Sequence, residues 1–392
     1  MSKESKRILV WIVIAQFAAT SLWFAGNAIL LELQRELQLD FDITSSLTVA
    51  VQLGFIIGTL SYAVLMIPDR FSPAKVFLFS AVSASLINLL IIFNIPYWPL
   101  LGVRFMTGFF LAGIYPVGMK IASDWFRKSL GSALGFLVGA LVLGTAFPHL
   151  IRTFSMDLPW QAVVLTTSAL AILGGLVVYY LVGDGPYRSK SPKFSFRVFF
   201  KLFSKRKFNR VASGYFGHMW ELYAFWAFVP YIIHHYSETN ATELNISAWS
   251  FIVIAAGMIG CIVGGLYSSK FGSCRVAFIS LAISAICSLT IPFILGLSPI
   301  YFLPFVVIWG FFVIMDSPQF SKVIADYAPS EFLGSALTIV NSLGFALTIV
   351  SIQLLDYFEF IGEYRFLLLA IGPLLGLYPT AKIAFRKNFP AP

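Results

Sequence analysis

Two ionisable residues lie one helical turn apart inside an aromatic, apolar stretch. The stretch begins at Gly214, reads GYFGHMWELYAFW and contains His218 and Glu221. A spacing of three residues puts both side chains on one face of a helix. A carboxylic acid in such a setting can take up and release a proton, and a neighbouring imidazole can share that proton or orient the acid. We therefore predict proton coupling at Glu221 and His218, with a buried structural pair as the alternative.

Two more ionisable residues lie inside apolar stretches, where each is a candidate for contact with a polar solute. Asp316 precedes Pro318; a proline kinks a helix, and an acid beside a kink can bind a cationic group, a proton or the broken helix end. Arg104 shares a helical face with Tyr115 and carries the forked guanidinium that suits a carboxylate. We predict that Asp316, Arg104 and Tyr115 contact the solute.

Polar and aromatic side chains recur along the first apolar stretch at spacings of four, three and four residues. They are Gln16, Thr20, Trp23 and Asn27. On a continuous helix they form one face, and two amides with an aromatic ring suit hydrogen bonding and stacking of a polar solute. We predict Gln16, Trp23 and Asn27 as solute-binding residues, with interhelical hydrogen bonding as the alternative.

A long segment occurs twice in the chain. Residues 115–134 read YPVGMKIASDWFRKSLGSAL, and residues 317–337 read SPQFSKVIADYAPSEFLGSAL. Lys120 and Asp124 match Lys322 and Asp326 at an offset of 202 residues (322 minus 120). A repeat at half of the chain length indicates two copies of one structural unit. Because this Lys–Asp pair is present in both copies, we predict that it belongs to a gate; a lysine that pairs with the aspartate of its own helix is the simpler alternative.

A shorter repeat adds residues to the predicted gate. Residues 69–75 read DRFSPAK, and residues 269–275 read SKFGSCR. A basic residue, a phenylalanine, a small residue and a second basic residue recur in register. We therefore add Asp69, Arg70 and Lys270 to the predicted gate.

The composition places these residues in a membrane. Of 392 residues, 58% are hydrophobic and 11% are charged, against about 25% charged in soluble domains. A membrane span needs about 20 apolar residues. We predict an all-α integral membrane protein with twelve transmembrane helices in two pseudo-symmetric six-helix bundles, with spans near 8–31, 44–67, 74–95, 98–122, 130–152, 160–183, 211–235, 247–269, 275–297, 300–323, 332–355 and 364–385.

Basic residues are distributed unevenly among the predicted loops. If the N-terminus is cytoplasmic, the outer loops hold only Arg35, Arg152 and Arg365. This asymmetry predicts a multi-pass plasma-membrane protein with cytoplasmic termini, and the short loops favour a bacterial inner membrane. The predicted domains are a bundle at 1–183, a basic linker at 184–210 and a bundle at 211–392. The Lys, Arg and Phe residues of 188–210 favour contact with the anionic inner leaflet over contact with nucleic acid.

Together these features resemble the major facilitator superfamily. The charged turn with Asp69, Arg70 and Lys75, and the series Leu100, Arg104 and Gly108, are similar to two of its signatures. The resemblance covers the whole chain and implies that spans 1, 4, 7 and 10 line a central cavity. The chain is broadly similar to the nitrate/nitrite and cyanate porters, but spans 2 and 8 lack the arginines of nitrate porters. The absence of a Gly-Pro pair in span 5 counts against the proton-coupled drug antiporters.

The predicted function is secondary active transport of a small organic ion or zwitterion by alternating access, coupled to protons. Two transport alternatives stay open: a proton-independent facilitator, and a divalent-cation transporter that uses Glu221, His218 and Asp316. A membrane scaffold or receptor is the alternative of another class. We expect no enzymatic activity, because no nucleophile–base set or metal-ligand spacing is evident. We also expect no cofactor, no resident metal and a monomer.

Overall fold

In the computed structural model, nearly all described residues are helical. The structure describes residues 3–39, 42–126, 130–155, 158–188, 197–328 and 333–385. The first half contains α1 Lys3–Thr20, α2 Leu30–Glu36, α3 Thr44–Val64, α4 Ile67–Arg70, α5 Pro73–Leu89, α6 Tyr97–Leu111, α7 Tyr115–Trp125, α8 Leu130–Phe154 and α9 Gln161–Val177. The second half contains α10 Arg197–Phe203, α11 Arg206–Thr239, α12 Ile246–Phe271, α13 Ser273–Ile294, α14 Pro299–Met315, α15 Ser317–Tyr327, α16 Leu333–Tyr357, the 3₁₀ helix Glu359–Ala370 and α17 Ile371–Ala384.

The helices account for all twelve predicted spans. Within the described residues, ten helical segments are long and apolar enough to cross a membrane. The other two predicted spans coincide with α1 and α11. α1 begins on a charged turn, and α11 carries ionisable residues in its middle, so neither is uniformly apolar. The predicted all-helical membrane fold is confirmed.

Contacts divide the chain into two compact units, residues 1–191 with 245–251 and residues 192–244 with 252–392. In the first unit α1 packs against α8 and α9, and α5 packs against α6 and α9. In the second unit α11 packs against α16 and α17, and α13 packs against α14 and α17. Helices at corresponding places in the sequence therefore make corresponding contacts within each unit.

Glycines at matched positions allow matched helix crossings in the two units. A Cβ atom on Gly108 of α6 would overlap the carbonyl oxygen of Val51 on α3, and one on Gly310 of α14 would overlap that of Val253 on α12. Both residues of the second crossing follow those of the first by 202 positions (310 minus 108, 253 minus 51). A small residue at a crossing lets two membrane helices approach closely. The sequence repeat therefore extends to backbone contacts.

We expect Gly108→Ala to destabilise the protein by about 1–3 kcal/mol, because a Cβ atom must push α6 away from α3. Gly102→Ala is the matched control, since Gly102 lies on the same helix with open space around its Cα. The melting temperature of the purified protein in detergent is the measurement. Equal melting temperatures for the two variants would contradict this account of the crossing.

Three predicted spans are interrupted. The first was predicted as continuous to residue 31, and this is wrong: α1 ends at Thr20, and residues 21–26 form turns before the 3₁₀ helix Asn27–Ile29. Span 4 breaks between α6 and α7, and span 10 breaks between α14 and α15. Pro116 and Pro318 occupy the first turns of α7 and α15, so the kink predicted at Pro318 is confirmed, and Pro116 stands at the matching break.

Candidate functional site

A buried imidazole and a buried carboxylate meet in the second unit. His218 Nδ1 of α11 lies 2.8 Å from Asp316 Oδ1, and both side chains are completely buried. Asp316 is the residue between α14 and α15, yet its side chain makes no capping hydrogen bond to α15. The acid at the helix break therefore faces His218.

Glu221 is a second buried acid in the same unit, and its hydrogen-bond partner comes from another helix. Ser288 of α13 donates to Glu221 Oε2 at 3.3 Å, and Ser284, one turn earlier, is also buried. Among the described residues, Glu221 Oε1 has no hydrogen-bond partner. His218 thus pairs with Asp316, which lies at the break between α14 and α15, far away in the sequence. Glu221 is held by serines, which the sequence analysis did not identify as site residues.

This buried cluster is poorly suited to a divalent cation. Across the described ranges, no three His, Cys, Asp or Glu side chains come close enough to hold a metal ion. A hard divalent cation takes six or more oxygen ligands. The divalent-cation alternative stays a prediction.

In the first unit, Arg104 holds the break in α1. Its Nη2 donates to Trp23 O at 2.5 Å, and its Nη1 donates to Leu22 O at 3.3 Å and to Asn88 Oδ1 at 3.2 Å. Carbonyls in a turn inside a membrane need donors, because no water is present to supply them. Arg104 is completely buried, and these bonds account for two of its three nitrogens. Its position in the structure fits a stabiliser of the break better than the predicted solute ligand.

The duplicated unit supports this interpretation of Arg104. Residue 306 stands at the matching position (104 plus 202) and is a buried valine. The segment that matches residues 21–26 lies inside α11, which continues without a break from Arg206 to Thr239. The break and the arginine are thus present together in one unit and absent together from the other.

The predicted stripe on the first span does not form one surface. Thr20 donates to the carbonyl of Gln16, Trp23 packs on Phe55 with ring centroids 4.7 Å apart, and Asn27 donates to Thr48 Oγ1 at 2.8 Å. The face was predicted for a continuous helix, and the turns after Thr20 rotate the later residues onto α3. Asn27 therefore makes an interhelical hydrogen bond, which was the alternative interpretation of this stripe.

The remaining predicted solute ligands are separated in a similar way. Gln16 is completely buried and contacts α7, where a Cβ atom on Gly118 would collide with its amide oxygen. Neither polar atom of Gln16 has a hydrogen-bond partner among the described residues. Tyr115 is half-buried at the start of α7. Of these two remaining residues, Gln16 is therefore the one whose side-chain polar atoms stay free to bind a solute.

The two copies of the predicted gate pair differ. Lys120 Nζ lies 3.1 Å from Asp69 Oδ1, so this ion pair joins α7 to α4. In the second copy, Lys322 lies 2.8 Å from Asp326 on its own helix. The position that matches Asp69 is Ser269 (69 plus 200). Ser269 is not an acid, and among the described residues Lys322 pairs with Asp326 of its own helix. In the first copy the ion pair shown is with Asp69, and the alternative pairing of Lys120 with Asp124 stays a prediction.

Asp184 is a residue of this region that sequence reasoning missed. Its Oδ1 accepts from Ser72 Oγ at 2.8 Å and from the Ala74 amide at 3.1 Å, at the start of α5. Its Oδ2 lies 2.9 Å from Arg188 Nη1, and Arg188 also donates to Phe71 O. In the sequence, an acid at the start of a basic linker is only a weak sign of a structural role. The contact of Asp184 with residues 71–74 depends on the fold.

Two of the other predicted gate residues lie at the surface, and a third is buried. Arg70 is exposed at the end of α4, and Lys270 is exposed near the end of α12, with its Nζ 5.4 Å from the Phe271 ring. Asp124 is buried, and its carbonyl accepts from the Tyr187 amide at 3.0 Å. These positions are compatible with a gate, and the role itself stays a prediction.

We expect Lys120→Met to lower the melting temperature and Lys322→Met to leave it nearly unchanged. The Lys322–Asp326 pair is about half exposed within one helix, and such pairs contribute only about 0.3–0.5 kcal/mol. The Lys120–Asp69 pair is mostly buried and joins two helices. Thermal unfolding of both variants in detergent is the measurement, and an equal shift in both would contradict this distinction.

Comparison with known proteins identifies the class. Residues 12–352 match the family model of the Major Facilitator Superfamily, so the chain belongs to that superfamily. Over 98% of its length it is similar to the crystal structure of a bacterial homolog of the human lysosomal transporter Spinster, in an inward-facing and unoccupied conformation. The TM-score is 0.63, the sequence identity is 14%, and the match covers 97% of that chain. The predicted family and fold are confirmed, and the protein is a multi-pass membrane protein.

Two curated relatives match part of the chain. A D-galactonate transporter of Escherichia coli O6:H1 is 22% identical over 295 residues, which are 66% of each protein. A probable L-galactonate transporter of Escherichia coli K12 is 22% identical over 236 residues, which are 50% of this chain and 51% of the relative. The matches thus span just under two thirds and about half of these relatives. They lend no support to the broad similarity to nitrate/nitrite and cyanate porters.

Proposed function

We propose that this protein is a secondary active transporter that moves a small organic anion of the sugar-acid class together with protons. The observation that carries the proposal is the cluster of His218, Asp316 and Glu221, three ionisable side chains that are completely buried in the second unit. Ionisable residues inside membrane helices are costly, and they mark solute or proton pathways.

The cluster supports a proton role through its arrangement. Glu221 accepts only from a neutral hydroxyl, while Asp316 faces an imidazole. A charge shut off from water in a bundle is unfavourable unless it is compensated. A proton bound at Glu221 would remove that charge and favour the change between the two accessible states. His218 and Asp316 would share a second proton and orient one another.

The solute class is supported by the relatives and by the family. Both curated relatives are named as galactonate transporters, and galactonate is a polyhydroxylated carboxylate. This narrows the small organic ion or zwitterion expected from the sequence to an anion. Gln16, with two free polar atoms, is a candidate for the hydroxyl groups of such a solute.

The proposal includes the membrane arrangement. The halves 1–183 and 211–392 would rock about a solute site, with the linker 184–210 on the anionic inner leaflet, both termini in the cytoplasm and the protein a monomer in a bacterial inner membrane. A proton-independent facilitator remains the alternative. Both curated relatives are named as transporters, which favours transport over enzymatic, scaffold or receptor roles.

Reconstitution in proteoliposomes tests the function directly. Wild-type protein is expected to accumulate radiolabelled D-galactonate when the outside is acidic, and a protonophore is expected to abolish accumulation. Equilibration without accumulation would show the facilitator alternative to be right. No galactonate flux under either condition, above that of protein-free liposomes, would contradict the proposed solute class.

A further inference from the structure

A buried arginine lies in the second unit, away from the cluster of Glu221. Arg365 is 1% exposed and belongs to the 3₁₀ helix Glu359–Ala370. Gly362 interrupts this helix with a φ of 61° and a ψ of −138°, a backbone conformation that glycine adopts without steric cost. The reversal at Gly362 turns Arg365 inward, against the C-terminal end of α16 and the second half of α11.

The contacts of Arg365 use one edge of its guanidinium. Nη1 donates to the Leu355 carbonyl at 3.2 Å. The guanidinium carbon lies 4.3 Å from the centroid of the Tyr231 ring, 5.2 Å from Phe228 and 5.5 Å from Phe366. Nε and Nη2 have no hydrogen-bond partner among the described residues, and no carboxylate of those residues forms an ion pair with them.

The free atoms form a complete binding edge. Nε–H and one N–H of Nη2 point in the same direction on the side of the guanidinium opposite to the Cδ atom, and together they match the two oxygens of a carboxylate. The other buried arginine of the described residues lacks this edge. Arg104 has its Nη2 bonded to Trp23 O, and its Nε is close to Gly26, where a Cβ atom would lie 3.2 Å away.

An unpaired guanidinium in this position needs an anion. Arginine stays protonated in proteins, so it cannot relieve the cost of burial by losing its charge. Cation–π contacts stabilise the charge in part, and they do not satisfy the two N–H groups. Buried donors that have no acceptor are unfavourable, and the cost is larger for charged groups.

One of the rings that cover the guanidinium is partly exposed. Tyr231 lies over the guanidinium and is itself only half-buried. Its ring stacks on His235 with centroids 5.9 Å apart and an interplanar angle of 5°. His235 Nε2 lies 3.9 Å from Glu363 Oε2, and both side chains are about one third exposed. Glu363, the nearest acid along the chain, is thus directed to His235 and not to Arg365.

We propose that Arg365 binds the carboxylate of the transported anion through Nε and Nη2, with Tyr231 as a movable aromatic cover. This inference rests on the proposed organic-anion transport and assigns a specificity residue to it. The site lies toward the C-terminal end of α11, the end opposite to the basic linker that precedes that helix. It would recognise the acid group of the solute.

Equilibrium binding to the full-length protein in detergent tests the assignment. The probes are D-galactonate, the uncharged sugar D-galactose, and sodium chloride at matched ionic strength. Wild-type protein is expected to bind galactonate and to show no comparable binding of galactose or chloride. Arg365→Gln and Arg365→Lys are expected to weaken galactonate binding roughly 30-fold or more, because both lose the bidentate edge of a buried charge pair.

Arg152→Gln is the matched control. Arg152 also stands in a predicted outer loop, but it pairs with Glu32 and is partly exposed. Wild-type affinity in Arg365→Gln or Arg365→Lys, or an equal loss in Arg152→Gln, would overturn the inference and leave the proposed function in place. Absence of galactonate binding by the wild-type protein would instead overturn the proposed function, and this inference with it. Arg365→Lys keeps the buried charge, so it remains informative if Arg365→Gln does not fold.

Discussion

Replacing Glu221 with Gln is expected to abolish gradient-driven accumulation of the solute while solute exchange continues. The amide has the shape of the protonated acid, and its oxygen can still accept from Ser288, which lies 3.3 Å from Glu221 Oε2. What it lacks is a proton that can leave. One proton that crosses a one-unit pH difference supplies about 1.4 kcal/mol, enough for about tenfold accumulation. In the variant, accumulation should fall to the level seen without a gradient.

The measurement compares two assays on the same proteoliposomes. Uptake under an imposed pH gradient reports coupling, and exchange of labelled for unlabelled solute at equal pH reports the remaining steps. Glu238→Gln is the control, because Glu238 lies on the same helix α11 but its side chain is 67% exposed. Full accumulation by Glu221→Gln would show that another group carries the proton. Loss of both uptake and exchange would assign Glu221 to solute binding or to folding.

Replacing Arg104 with Leu is expected to destabilise the protein strongly, with or without solute. The substitution removes the donors to the carbonyls of Leu22 and Trp23 and to Asn88. Buried acceptors that lose their donors cost about 1–3 kcal/mol each, so the loss of three donors is expected to cost about 3 kcal/mol or more. The stability of Arg104→Lys should lie between that of the wild type and that of Arg104→Leu. An ammonium group keeps the charge, but it cannot reach all three acceptors from one position.

Thermal unfolding with and without solute separates this role from solute binding. Arg152→Leu is the control, since Arg152 is a partly exposed residue of the same unit whose ion pair with Glu32 is at the protein surface. A normal melting temperature for Arg104→Leu together with lost solute affinity would contradict the structural role. That result would favour the solute contact that the sequence predicts.

The chemistry of the buried cluster could be predicted only in part. His218, Glu221 and Asp316 are recognisable in the sequence because ionisable residues are rare within apolar stretches. Their partners are not, because His218 pairs with a residue 98 positions away (316 minus 218) and Glu221 is held by a serine on α13. Helical spacing identifies residues on one face of one helix, and it carries no information about the neighbouring helix.

The polar stripe of the first span shows the same limit. Its spacing indicates a continuous face, but α1 ends at Thr20. Nothing at residues 21–26 resembles a proline kink, and the break is held by Arg104 from a helix distant in sequence. The interruptions at Pro116 and Pro318 could be predicted, because proline acts on its own helix.

The sequence by itself determined the membrane class, the positions of most apolar helices, the duplication and the superfamily. These follow from hydropathy and from repeats, which act over neighbouring residues or at a fixed offset. Only the tertiary structure decided which charges meet: Lys120 with Asp69, His218 with Asp316, and Arg365 with aromatic rings and a free edge. The physical reason is that a buried charge is stabilised by whatever polar atoms the packed helices bring within hydrogen-bond distance, and helix packing is a property of the whole chain.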